Sequence, residues 1–161
     1  MQMKSGLSLS ALVVGALLST LGGIGVAESA EPLLGTWKLD VANSKFSPGP
    51  APKAVTLRYE AAGQSLKVTV DSEAATGKTK WEYTAGYDGK DYPVTGSLET
   101  DAVSLKRINP TTTEAAFKKG GKATTTSTRV VSDDGKTLTI TTKGTNAEGK
   151  AVENIQVFAK Q

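Results

Sequence analysis

The chain reads as an all-β domain: a single antiparallel up-and-down β-barrel of about ten strands, preceded by a signal peptide. Three observations predict it. Turn signals recur at short, regular steps: Gly63, Gly77 and Gly89 lie 14 and 12 residues apart, and Gly121, Gly135 and Gly149 lie 14 apart. Between them, apolar and polar residues alternate with period two, the mark of a sheet with one face in water. No stretch of 31–161 carries a helical period, and 21 Thr and 17 Gly favour strands and turns.

The strands fall at 33–41, 53–61, 65–72, 78–87, 91–95, 101–108, 112–118, 123–131, 136–143 and 150–159. The second sets Val55, Leu57 and Tyr59 against Thr56, Arg58 and Glu60. The third sets Leu66, Val68 and Val70 against Lys67, Thr69 and Asp71, and the fourth Trp81, Tyr83, Ala85 and Tyr87 against Glu82, Thr84 and Gly86. Val103, Leu105 and Arg107 share a face of the sixth. Leu138 and Ile140 do so in the ninth, and Ile155, Val157 and Ala159 in the last. Between strands stand Ala62-Gly63, Thr76-Gly77, Asp88-Gly89, Asn109-Pro110, Gly120-Gly121, Asp134-Gly135 and Glu148-Gly149, all turn chemistry. Sequential hairpins close most economically into a barrel, which leaves no free edge. A β-sandwich is the alternative on pattern alone.

Residues 1–30 read as an address. Lys4 precedes Leu7–Val26, which carries no charge, and small residues follow at Gly25, Ala27, Ser29 and Ala30. That is a secretory signal peptide with cleavage near 27–30, leaving 31–161 as the barrel domain. A 20-residue apolar run is also long enough to span a membrane, but its glycines and cleavable end favour removal. A lipid anchor at this point needs a Cys just after the apolar run, and with no Cys none is expected. The expectation is a soluble protein of the bacterial periplasm or beyond.

Composition excludes much chemistry. There is no Cys and no His, hence no thiolate nucleophile, no disulfide, no Cys/His zinc site and no Ser-His-Asp triad. No cofactor and no metal site are expected. The balance of 19 basic against 16 acidic residues is too mild for nucleic acid. Asp88, Asp91, Asp133 and Asp134 flank turn glycines and read as turn residues, not as an acid/base pair. Catalytic residue types are missing, so an enzyme is not expected.

Leu34-Gly35-Thr36-Trp37-Lys38-Leu39 resembles the G-x-W opening of lipocalins and, more closely, the G-T-W-K-L opening of fatty-acid-binding proteins. The closing strand, with Phe158 and Lys160, is similar in style. With Asn43-Ser44-Lys45-Phe46 and the segment from Tyr87 to Val94, the chain resembles small secreted bacterial lipocalin-like proteins of the calycin superfamily. The resemblance implies a barrel whose signature residues Gly35 and Trp37 close one end, with Trp37 under a basic residue from a late strand. Arg129 is a candidate for that partner. Two departures stand out. Asn43–Pro52, with Pro48, Pro50 and Pro52, cannot build the helical lid of fatty-acid-binding proteins and reads as a stiff flap. The last strand, Asn154-Ile155-Gln156-Val157-Phe158, lacks their carboxylate-holding R-x-Y pair.

Arg107 is the leading candidate for contact with an anionic ligand, because it shares a face with Val103 and Leu105. Tyr59, Tyr83 and Tyr92 are candidates to line a pocket with it, gated by the 43–52 flap. The expected function is a non-enzymatic binding module for a small apolar or amphipathic ligand. The alternative is a barrel filled by its own side chains, acting as a protein-interaction or inhibitor module.

Overall fold

A computed structural model describes residues 31–161; the signal-peptide reading of 1–30 lies outside the described residues. Ten strands follow one another: β1 (Gly35–Lys45), β2 (Ala54–Ala62), β3 (Ser65–Ala74), β4 (Gly77–Gly86), β5 (Tyr92–Thr95), β6 (Ala102–Asn109), β7 (Thr112–Lys119), β8 (Lys122–Val131), β9 (Thr137–Thr145) and β10 (Ala151–Lys160). Each pairs antiparallel with its sequence neighbours, and β1 pairs with both β2 and β10, so the sheet closes into a barrel. The sandwich alternative is thereby excluded. The alternation read from sequence is the reason: each strand buries one face, and closure pairs every edge.

The end where β1 begins is packed solid. Trp37 is fully buried there, and its indole Nε1 donates to the Leu33 carbonyl at 2.8 Å. Leu66, Ala85, Leu138 and Phe158 are buried with it. The Lys160 ammonium sits 5.0 Å from the Trp37 ring centroid. The basic partner of the signature Trp is therefore Lys160, not Arg129. Gly35 explains the other half of the signature. Its φ is +124°, and a Cβ there would press the Lys160 stem at 3.1 Å.

Two differences from the sequence reading bear on the site. β1 runs on to Lys45, because residues 41–44 bulge out between Asp40 and Lys45 and the strand then rejoins β10 at Ile155. Asn43 Nδ2 donates to Asp40 at 2.7 Å, Ser44 Oγ donates to the Asp40 carbonyl, and Val157 N donates to Ser44 Oγ. Ser47 N then donates to Asn154 Oδ1, and Glu153 N to the Ser47 carbonyl. The start of the expected flap is thus stitched to β10. Second, β10 turns its other face inward. Ile155 is exposed, whereas Phe158 is buried and Gln156, Asn154 and Val152 point into the barrel. Period two fits either phase when both faces carry apolar residues. The pairing of Leu39 with Phe158 selects this one.

Candidate functional site

The half of the barrel away from Trp37 is hollow. A cavity of about 400 Å³ opens between the β1–β2 connection, where Pro52 lines it, and the 96–100 loop, which contributes Ser97, Glu99 and Thr100. Ladder register sorts its walls. Across β2, β3 and β4 the middle row is Leu57–Val70–Trp81, apolar but for the Trp81 indole N–H. Across β8, β9 and β10 the corresponding row is Ser127–Thr142–Asn154, wholly polar. In the closed sheet β3 and β8 lie on opposite sides, so these two rows face each other. Nearer the mouth stand Val55, Ser72 and Thr79 on one side and Thr125 and Val152 on the other.

Toward the packed end, the floor carries Tyr59, Val68 and Arg129, with Ile140 and Gln156 beside them. Arg129 is only 4% exposed. Its Nη2 donates to the Tyr83 hydroxyl at 2.7 Å, and its guanidinium lies 5.7 Å from the Tyr59 ring centroid. Its Nε and Nη1 are buried without a partner, as is Oγ1 of Thr113, which pairs with Arg129 across β7–β8. Among the described residues no carboxylate lies within ion-pair distance of it. Burial alone disfavours this charge. The phenols of Tyr83 and Tyr59 outweigh that and hold the Arg129 pKa above its ordinary value. Burial in turn pushes the Tyr59 hydroxyl up to about 12, and also raises Tyr83, against the opposing pull of Arg129. At neutral pH the floor is therefore a fixed cation beside two neutral phenols. An aromatic cluster supports it: Trp81 stacks on Tyr83 with centroids 6.1 Å apart, and Phe117 packs edge-on against both.

The structure brings together two of the four candidate ligand residues. Tyr59 lines the cavity, and Tyr83 lies beneath its floor on Arg129. Arg107 and Tyr92 do not line it. Arg107 is at the outside of the packed end, where its Nη2 donates to Glu31 Oε1 at 2.7 Å and its guanidinium stacks 4.3 Å over Tyr87. Tyr87 donates to the same carboxylate oxygen at 2.6 Å; burial first and then that bond raise its pKa. Arg107 has the inward parity of β6 but stands where the strand leaves the barrel, so it reaches the surface. Tyr92 donates to Asp88 Oδ2 at 2.8 Å. The Asp88 carboxylate also caps its turn through Lys90 N, which lowers its pKa.

Arg129 is the principal site residue that the sequence reading misplaced. Carrying the alternation of β8 from Val131 back through Arg129 and Ser127 would have put it inside. The uninterrupted Thr run from Thr124 to Thr126 hides that alternation. Asn154 and Gln156 were missed with the phase of β10.

No protein-family model matches the chain, and no curated protein matches it. Among solved structures it is similar to zebrafish ileal bile acid-binding protein complexed with cholic acid. The two are 13% identical with a TM-score of 0.49, and the match covers 81% of this chain and 99% of that one.

Proposed function

We propose that this barrel is a non-enzymatic binding protein for a small amphipathic ligand with an acidic end. The observation that carries the reading is Arg129, a buried cation with no counter-charge on the floor of a hollow barrel. A buried charge demands a partner. Here a ligand entering through the mouth supplies it, while Leu57, Val70 and Trp81 take its apolar body. The cavity also weighs against the alternative of a barrel filled by its own side chains.

We further propose that the protein works outside the cytoplasm, in the periplasm or beyond, on the strength of the charge-free run after Lys4 and the small residues that follow it. Native mass spectrometry of gently purified protein, against its denatured mass, tests both readings. The expected results are a bound mass lost on denaturation and a chain that starts near residue 28–31. A bare mass, with no uptake from a panel of organic acids, overturns the binding reading. A denatured mass that retains residues 1–30 overturns the export reading. Arg129→Met is expected to weaken an acidic ligand by about 30-fold or more, the cost of truncating one side of a buried charge pair.

A further inference from the structure

We infer that the cavity selects a facially amphipathic ligand: a rigid ring system with hydroxyl groups on one face and hydrocarbon on the other. The inference deepens the proposed binding reading and rests on it. It comes from the registered rows on opposite sides of the barrel. Leu57 and Val70 offer only apolar surface, and Trp81 adds an indole face with a single N–H donor. Ser127, Thr142 and Asn154 face them with unspent hydrogen-bonding capacity. The Ser127 and Thr142 hydroxyls share a single bond of 2.7 Å, which leaves one O–H and several lone pairs free. Asn154 Oδ1 is taken by Ser47 N, which leaves its amide N–H groups for the cavity.

A straight alkyl chain would bury these groups without returning their bonds to water. Each polar group so stranded weakens binding by about tenfold. A rigid ring with one hydroxylated face satisfies both walls at once and loses little conformational freedom on entry.

The test measures affinity for three carboxylates by calorimetry. Cholate carries its hydroxyls on one face of a fused ring. 5β-Cholanate is the same skeleton without them, and dodecanoate is a flexible chain. The expected order has cholate tightest, by about tenfold or more over 5β-cholanate. That order runs against hydrophobicity, which alone favours the hydroxyl-free ring. Ser127→Ala/Thr142→Val should abolish the preference, losing cholate affinity while keeping 5β-cholanate. Ser127→Thr/Thr142→Ser, which keeps both hydroxyls, should retain it. Equal or tighter binding of 5β-cholanate or dodecanoate overturns the inference and leaves the binding reading standing. So does a preference unmoved in the Ser127→Ala/Thr142→Val variant. Failure of all three to bind overturns the binding reading and this inference with it.

Discussion

Arg129→Met/Tyr83→Phe is expected to unfold at nearly the same denaturant concentration as the parent, although it removes the only fully buried cation of the described core. Met relieves two buried, unpartnered guanidinium nitrogens, Nε and Nη1, worth about 1–3 kcal/mol each. It gives up one charge-assisted hydrogen bond to Tyr83, about 1.5–3 kcal/mol. It also gives up the contact with the Tyr59 ring, about 1–2 kcal/mol when desolvated. The terms offset, and the double variant should lie within about 2 kcal/mol of the parent. Tyr83→Phe alone keeps the cation and takes away its acceptor, so it should be less stable by about 1.5–3 kcal/mol. Restoring stability by adding Arg129→Met to Tyr83→Phe is the signature of a charge that the fold does not need. Urea unfolding followed by tryptophan fluorescence reads this directly, since Trp37 is buried at the packed end and Trp81 lines the cavity. A double variant weaker than Tyr83→Phe, or weaker than the parent by more than about 4 kcal/mol, would show that Arg129 holds the barrel together, and the argument from an unused charge to a ligand would fail.

The remaining predictions are independent of that balance. Tyr59, raised by burial from 10.0 to about 12, favours the folded state while it stays protonated. Its contribution is complete below pH 10 and is lost as pH rises through 12, about 2–3 kcal/mol in all. Urea midpoints between pH 7 and 12 should fall on this limb, and Tyr59→Phe should flatten it; an unchanged slope refutes the assignment. Gly144 has a φ of +142°, and a Cβ there would meet the Thr124 carbonyl oxygen at 2.2 Å. Gly144→Ala should cost about 2–4 kcal/mol in thermal or chemical unfolding, and a neutral result would mean that β8 and β9 separate easily at the mouth. Arg107→Ala should leave ligand affinity unchanged and cost no more than about 1 kcal/mol, because its ion pair with Glu31 is partly exposed. A calorimetric loss of affinity in that variant would return Arg107 to the site.

How far the residues alone reach is clearest strand by strand. Alternation and turn chemistry located all ten strands to within a few residues, since both act over neighbours that need no tertiary partner. Closure was legible too, because sequential hairpins with short turns leave few other ways to bury one face. The phase of β10 was not legible: Ile155 and Phe158 offer comparable apolar surface on opposite faces, and pairing with β1 decides between them. Nor was the level of a residue along the barrel axis. Arg107 and Arg129 have the same inward parity, yet one strand carries its Arg beyond the packed end and the other carries it to the cavity floor. Parity is local and belongs to the sequence. Depth depends on strand stagger summed around the closed sheet, and only the tertiary structure sets it.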